Sequence, residues 1–351
     1  MRVVVIGLGS MGKRRVRLIK ELYSDFEVVG VDARQDRQEE AAKQSGITTF
    51  SSLDELASSG ERYDCAFICT QPLSHANIIT ACLEKGWNVF TELNLVDDGY
   101  DRNIALAKER GVILFMSSTF LYREETRFIR KNVRKNIGEN IRADAASIGE
   151  QNGQHGRNGQ KLRCWNYIYH IGQYLPDWHP WESYKDFFVG DKRTNGCREI
   201  LSVELPWLIA TFGNIEKLDA VSDKMTGLDI DYDDNFMIQV KHSNGNKGCL
   251  VVDVVSPNAV RNFTAYTEGA YLSWGGNPKS VFAFDTATKE LKNVVLTEQA
   301  EHRDGYASFV VENAYKNEIR EFFNAVLNGK KPEYSFEQDK AVLALIKEIG
   351  A

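Results

Sequence analysis

Cysteine is scarce in this chain, and the six present are scattered at positions 65, 69, 82, 164, 197 and 249 of 351, with no C-x-x-C pair. That spacing excludes the usual zinc and iron–sulfur motifs. Cys65 and Cys69 fall within the apolar stretch Tyr63-Asp64-Cys65-Ala66-Phe67-Ile68-Cys69, which reads as a strand with buried free thiols. No apolar run approaches the ~18 residues a membrane helix requires. The chain opens directly on a core strand, leaving no room for a signal peptide, so a cytoplasmic protein without a membrane partner is expected. Basic charge is also not in excess. Net charge is -6 with the signs interspersed, which gives no field for nucleic acid. The densest basic stretch, Arg127 to Lys135, carries apolar residues at helical spacing and reads as a solvated helix face. Internal repeats and low-complexity tracts are absent.

What is present is enough apolar material, 43% hydrophobic and 11% aromatic, for two ordinary domains. The most informative segment is Met1–Arg14, MRVVVIGLGSMGKR. A β-branched run leads into Gly7-Leu8-Gly9-Ser10-Met11-Gly12 and then a helix start. Gly7 permits the tight turn, Gly9 lets the backbone approach a pyrophosphate, and Gly12 lets the helix pack on the strand. The helix N-terminus then supplies amides and a dipole for the phosphates. A second strand, Glu27 to Asp32, ends in an acid 20 residues past Gly12, where a ribose-binding carboxylate is expected.

Strands and helices alternate through the first third: strands at 2–6, 27–32, 63–69, 88–91 and 112–117, helices near 10–24, 35–45 and 74–85. This is the pattern of an α/β, doubly wound parallel sheet, with ligands at the carboxyl ends of its strands. After about residue 140 the pattern changes. A polar, glycine-rich loop at 151–160 precedes an aromatic-rich segment from Cys164 to Phe188 and a helix near 198–211. A hairpin at 236–241 and 248–255 and strands near 262–267, 270–274 and 280–284 give an antiparallel sheet. Helices near 307–328 and 336–349 close the chain. The expected division is a Rossmann domain over 1–120 and a second α/β domain with a large, mostly antiparallel open sheet over 121–351, its last helix free to return to the first domain.

The glycine motif, Cys69-Thr70-Gln71-Pro72-Leu73-Ser74-His75, Asn88-Val89-Phe90-Thr91-Glu92 and the closing Glu318-x-x-x-Phe322…Gly329-x-x-Pro332 together resemble the Gfo/Idh/MocA oxidoreductases over nearly the whole chain. The resemblance implies a nicotinamide cofactor held where two domains meet, a sugar, inositol or sugar-nucleotide substrate, and a homodimer or homotetramer built through the open sheet. It further implies that Gly7 to Gly12 hold the pyrophosphate, that Asp32 binds the adenosine ribose, and that Thr70, Gln71 and Pro72 line the cofactor. His75 and Asn94 then stand near the same loop, and Glu92 near the nicotinamide. Asp32 favours NAD, because a carboxylate pairs with two ribose hydroxyls and repels a 2′-phosphate. Arg34 can stack on adenine or take that phosphate, which keeps NADP as the lesser alternative.

Two signatures of that family are altered. Its Glu-Lys-Pro is here Glu92-Leu93-Asn94, so Leu93 occupies the place of the lysine that meets the reacting hydroxyl. In the helix carrying the second signature, Ile200 falls on the family's Asp and Glu204 on its catalytic His. Glu204 has two readings: a base with its pKa raised by burial, or a helix carboxylate paired with a nearby arginine. His179, between Trp178 and Pro180, and Glu92 complete the catalytic candidates. Arg163 and Arg198 suit an anionic substrate group. Leu93, Tyr122, Trp165, His179, Trp181 and Glu199 fill out a candidate sugar pocket, since aromatic faces stack on sugar C–H bonds. The other reading of the aromatics is core cover. No metal is expected. The substitutions leave two further functions open: an enzyme of glycosidase or epimerase type that retains its NAD, and a non-catalytic dinucleotide- or sugar-sensing protein.

Overall fold

The computed structural model describes residues 1–137, 164–179, 182–296 and 311–351. The loop 151–160, Arg163, Trp181 and the start at 307 assigned to the closing helix lie outside the described residues. The chain forms two compact units, Met1–Thr119 with Tyr315–Leu345, and Phe120–Ala314 with Ile346–Ala351.

The first unit alternates β1 (Arg2–Ile6), α1 (Ser10–Leu22), β2 (Glu27–Val31), α2 (Gln35–Ser45), β3 (Thr48–Phe50), α3 (Leu53–Ser58), β4 (Cys65–Ile68), α4 (His75–Glu84), β5 (Asn88–Thr91), α5 (Tyr100–Arg110) and β6 (Leu114–Met116). The six strands are parallel in the order β3-β2-β1-β4-β5-β6. Val3, Val4 and Val5 are completely buried, as expected for strands covered on both faces. Strand order reverses between β1 and β4, which opens a crevice at the carboxyl ends of the strands. Phe67, Phe90 and Phe115 of β4, β5 and β6 stack in a row at 4.6 and 5.2 Å. Phe322, from the helix Glu312–Asn328, meets all three edge-on. Burying each ring contributes about 1.5–3 kcal/mol.

The second unit contains α6 (Glu124–Ile137), β7 (Asn166–Gly172), α7 (Gly196–Phe212), β8 (Ile215–Asp223), β9 (Asn235–His242), β10 (Lys247–Asp253), β11 (Val260–Thr267), β12 (Ala270–Trp274), β13 (Val281–Asp285) and β14 (Glu290–Asn293). Two helices, α8 (Glu312–Asn328) and α9 (Phe336–Ile349), end the chain. The eight strands run β14-β13-β12-β11-β7-β10-β9-β8 and are antiparallel except for β7 against β10. One face carries the core residues Tyr167, Tyr169, Phe236, Ile238, Leu250, Val252 and Phe263 under α7. The register puts Val221, Met237, Ile168 and Tyr266 together on the other face, all of them exposed.

The sequence reading did not contain β3, α3, α5, β7, β8 or β14. The segment read as a sugar pocket begins with β7, and Trp165, just before it, is completely buried. That corrects its assignment to substrate binding: it is core, as the alternative reading of the aromatics held.

Candidate functional site

The glycine turn is shaped by three different constraints. Gly7 has φ of 90°, and a Cβ there would lie 2.7 Å from the carbonyl oxygen of Cys69. A Cβ on Gly12 would lie 1.8 Å from the carbonyl oxygen of Gly7, so α1 can approach β1 only without a side chain. Gly9 is different. A Cβ there would meet only the guanidinium of Arg37, at 3.6 Å, which a long side chain can easily clear. The protein itself gives no packing reason for glycine at this position, whereas close approach by a ligand backbone or phosphate does. Gly9 is also the N-cap of α1, with no side-chain cap and no acid in the first turn. The first amides of the helix therefore face the turn with an unopposed positive dipole. Ser10 is exposed and Met11 half-buried, while Leu8 is buried and its amide is already taken by Asp32.

At the end of β2, Asp32 is oriented by two backbone amides: Leu8 donates to Oδ2 at 2.7 Å and Arg34 to Oδ1 at 2.9 Å. A carboxylate has about four lone-pair positions, so two remain for ribose hydroxyls. The Arg34 guanidinium turns away to Asp36, at 2.5 and 3.1 Å. The cation nearest Asp32 is instead Arg37, 3.8 Å from Oδ2, a residue the sequence reading passed over.

At the end of β5, Glu92 is gripped by Arg15 of α1, Nε to Oε1 at 2.6 Å and Nη2 to Oε2 at 3.1 Å. Arg15 also donates to Glu318 of α8 at 2.7 Å. Burial works against the Arg15 charge, but Glu92 and Glu318 outweigh it and its pKa ends up raised. Glu318 is held by Ser117 Oγ at 2.9 Å and the Ser118 amide at 2.7 Å. Burial raises its pKa against the opposing pull of Arg15. The network fixes Glu92 as a partly exposed, hydrogen-bonded carboxylate (14% side-chain exposure). The Cys69 thiol, 3.8 Å from Glu92 Oε1, is pushed up in pKa by burial and then by Glu92, so it stays protonated.

Thr70 is half-buried and Gln71 exposed beyond β4, with Pro72 buried beneath them. His75 and Asn94 are turned towards each other. Both are 2% exposed and meet each other, and the other ring nitrogen of His75 lies 2.9 Å from the carbonyl of Thr70. Burial lowers the His75 pKa, against the raising effect of those bonds, so the neutral ring acts as a strut between the two loops. Leu93, next to Asn94, is half-buried and has no group that can carry a proton.

In the second unit, Glu204 of α7 is completely buried. Its Oε2 accepts from Tyr169 Oη at 2.7 Å and Trp207 Nε1 at 2.6 Å, and its Oε1 from Arg261 at 2.7 and 3.2 Å. All four lone-pair positions are occupied. The geometry is that of the ion-paired helix carboxylate, the second of the two readings of Glu204. Tyr122 is also completely buried, under the guanidinium of Arg127 at 5.4 Å. That argues against substrate contact by its ring. Arg198 donates to the Ala351 carbonyl at 2.6 Å. His179 is part-exposed, with Nδ1 2.7 Å from Glu182 and its ring against Phe187. Glu199, at the start of α7, is half-buried, and its Oε2 is sealed from solvent without a hydrogen-bond partner. Among the described residues no cluster of three or more His, Cys, Asp or Glu is arranged for a metal, and no helix is long and apolar enough to cross a membrane.

A glycine turn on an open helix N-terminus, an oriented acid after β2 and a carboxylate after β5 define the first unit as a dinucleotide-binding Rossmann fold. Residues 1–118, about a third of the chain, match the model of the Gfo/Idh/MocA family, described as an oxidoreductase family with an NAD-binding Rossmann fold. Myo-inositol 2-dehydrogenase of Thermotoga maritima is 31% identical over 120 residues, which make up 33% of this chain and 35% of that protein. The match thus spans about a third of the relative's length. Two solved structures share the fold over nearly the whole chain. The WlbA dehydrogenase of Bordetella pertussis, in complex with NADH and UDP-GlcNAcA, has a TM-score of 0.71 at 16% identity and covers 100% of this chain and 94% of its own. UDP-N-acetylglucosamine 3-dehydrogenase GnnA of Acidithiobacillus ferrooxidans has a TM-score of 0.70 at 16% identity, covering 99% and 96%.

Proposed function

We propose that this chain is an NAD-dependent oxidoreductase acting at a secondary alcohol or ketone of a sugar or sugar nucleotide. The observation that carries the proposal is Gly9, a glycine that nothing in the protein requires, on a helix N-terminus with no side-chain cap. A bound nicotinamide would supply hydride chemistry. The chain's own part is to hold the pyrophosphate on the amides at the start of α1, to orient the ribose by Asp32, and to present Glu92 locked by Arg15. NADH and UDP-GlcNAcA in the WlbA complex, and the substrates named for GnnA and for the inositol dehydrogenase, support the substrate class. NAD is favoured over NADP because a 2′-phosphate would meet the Asp32 carboxylate. Arg37, rather than Arg34, is the cation beside that carboxylate. With Glu204 saturated and Leu93 apolar, His179 and Glu92 are the groups left to move a proton. The exposed face bearing Ile168, Met237 and Val221 supports a homodimer or homotetramer, since apolar patches of this kind mark interfaces.

The test is a fluorescence titration with NADH and NADPH, followed by turnover with UDP-N-acetylglucosamine, its uronic acid and myo-inositol. Failure to bind either dinucleotide refutes the proposal. Tight NADH binding with no hydride exchange across these substrates would favour the sensing reading, which the occupied Glu204 and apolar Leu93 otherwise support. A stoichiometric cofactor that never exchanges would favour the NAD-retaining reading.

A further inference from the structure

Helix α7 has two chemically distinct sides. Cys197, Leu201, Glu204 and Leu208, at helical spacing, serve the side over the sheet: Glu204 bonds Tyr169 of β7 and Arg261 of β11, and the other three are buried core. At 100° per residue, Glu199 and Ser202 fall together on another side, one turn apart. Both carry a sealed polar atom, Oε2 of Glu199 and Oγ of Ser202, and neither atom has a hydrogen-bond partner. Ser202 is 1% exposed. Two orphan oxygens on residues three apart along one side of a helix, each costly to bury, point to a polar group that both serve.

Three other buried acids of the described residues are compensated. Glu204 has Arg261, Glu318 has Arg15, and Asp253 has His170 and Ser256. Among the described residues Glu199 has no cation partner. Its neighbour Arg198 is directed to the carbonyl of Ala351. Among the described residues no charged group on α6, β7, β9, β10, β11 or the 188–190 turn, all packed against α7, contributes to its titration. Burial alone pushes its carboxyl up, to about 7. An acid in the first turn of a helix is common as a dipole partner, but such acids sit in solvent.

We propose that Glu199 and Ser202 form a hydroxyl-binding site for a sugar or polyol, with Glu199 as its proton-holding group. This rests on the sugar-oxidoreductase reading above. Ser202 Oγ and Glu199 Oε2 hydrogen-bond one substrate hydroxyl. In the ionised form, Glu199 takes that proton: the substrate O–H bond breaks, an O–H bond forms at Oε2, and the substrate oxygen keeps the electron pair. In the opposite direction the protonated carboxyl returns it. A group titrating near the working pH suits both directions, and saturated Glu204 and apolar Leu93 suit neither.

The test follows carboxyl carbons in the full chain labelled at glutamate, wild type against Glu199→Gln, by NMR titration with and without UDP-N-acetylglucosamine or myo-inositol. One resonance titrating near neutrality is expected, lost in Glu199→Gln and displaced when sugar binds. In parallel, kcat/KM against pH should show the same limb in wild type. Glu199→Gln should lose the limb and about 10²–10⁴-fold in rate, Glu199→Asp should recover part of it, and the NADH Kd should stay unchanged. A Glu199 resonance in the ordinary carboxylate range, or a limb that survives in Glu199→Gln, overturns the proposal. A wild-type chain that binds no dinucleotide overturns the oxidoreductase reading instead.

Discussion

Removing the charge of Glu204 separates the two readings of that residue. Glu204→Ala leaves the Arg261 guanidinium, only 17% exposed as a side chain, without its counter-charge, and takes an acceptor from Tyr169 Oη and Trp207 Nε1. Breaking a buried ion pair from one side costs about 3–5 kcal/mol. The two lost hydrogen bonds belong to the same network and do not add in full. The expected loss is therefore ~4 kcal/mol, a large part of the stability of one unit. Urea denaturation followed by tryptophan fluorescence reads it directly, because Trp207 lies in the cluster. Glu204→Leu combined with Arg261→Met should recover more than half of the loss, since a well-packed apolar pair often replaces a buried ion pair without penalty. A loss below about 1 kcal/mol, or a double variant no better than the single, refutes the reasoning. So does a stable Glu204→Gln that has lost turnover alone, the pattern of a base.

Gly9→Val and Gly12→Ala should fail in different ways. Gly9→Val keeps its melting temperature but loses NADH affinity by more than ~100-fold, whereas Gly12→Ala lowers the melting temperature as well, because its Cβ overlaps the Gly7 carbonyl. Glu199 makes stability depend on pH. Its folded carboxyl, moved from the ordinary 4.5 to about 7, binds a proton more tightly than in the unfolded chain. Its stabilising effect is thus complete below about pH 4.5 and is lost as pH rises through 7, a change of ~3 kcal/mol that Glu199→Gln should abolish, leaving the variant more stable at pH 8. Asp32→Ser should narrow the gap between the NADH and NADPH dissociation constants by at least ~10-fold, and Arg37→Ala in that background should reopen it.

Much of the first unit was legible because its signals are local. A β-branched run, a glycine turn and a helix start lie within fourteen residues, and the acid after β2 follows at a fixed distance. The parts that were not legible depend on distance or on charge. Strand β7 pairs in parallel with β10, with no turn between them to mark the match, and its aromatics looked like a pocket because they alternate inward as core. Arg15 stands in a run of three basic residues that reads as solvent-facing. Only the tertiary fold shows that it points inward, towards Glu318 some 300 residues away in sequence. The readings of His75, Asn94 and Glu204 came from family positions, and a position does not reveal that the lone pairs there are already occupied.

The row of stacked phenylalanines also bears on how the chain is made. Phe67, Phe90 and Phe115 are complete by residue 119, yet the ring that seals their edges is Phe322, and Glu318 on the same helix holds Ser117 and Arg15. A ribosome delivers the N-terminal strands first. The emerging sheet therefore keeps an unsealed apolar edge, and an arginine with only Glu92 of its two carboxylate partners, until nearly the whole polypeptide has been synthesised. The second unit lies within 120–314 except for its closing segment Ile346–Ala351, so nearly all of it is made in that interval. A fragment ending near residue 119 should consequently aggregate rather than bind dinucleotide, although every residue of the glycine turn is in it.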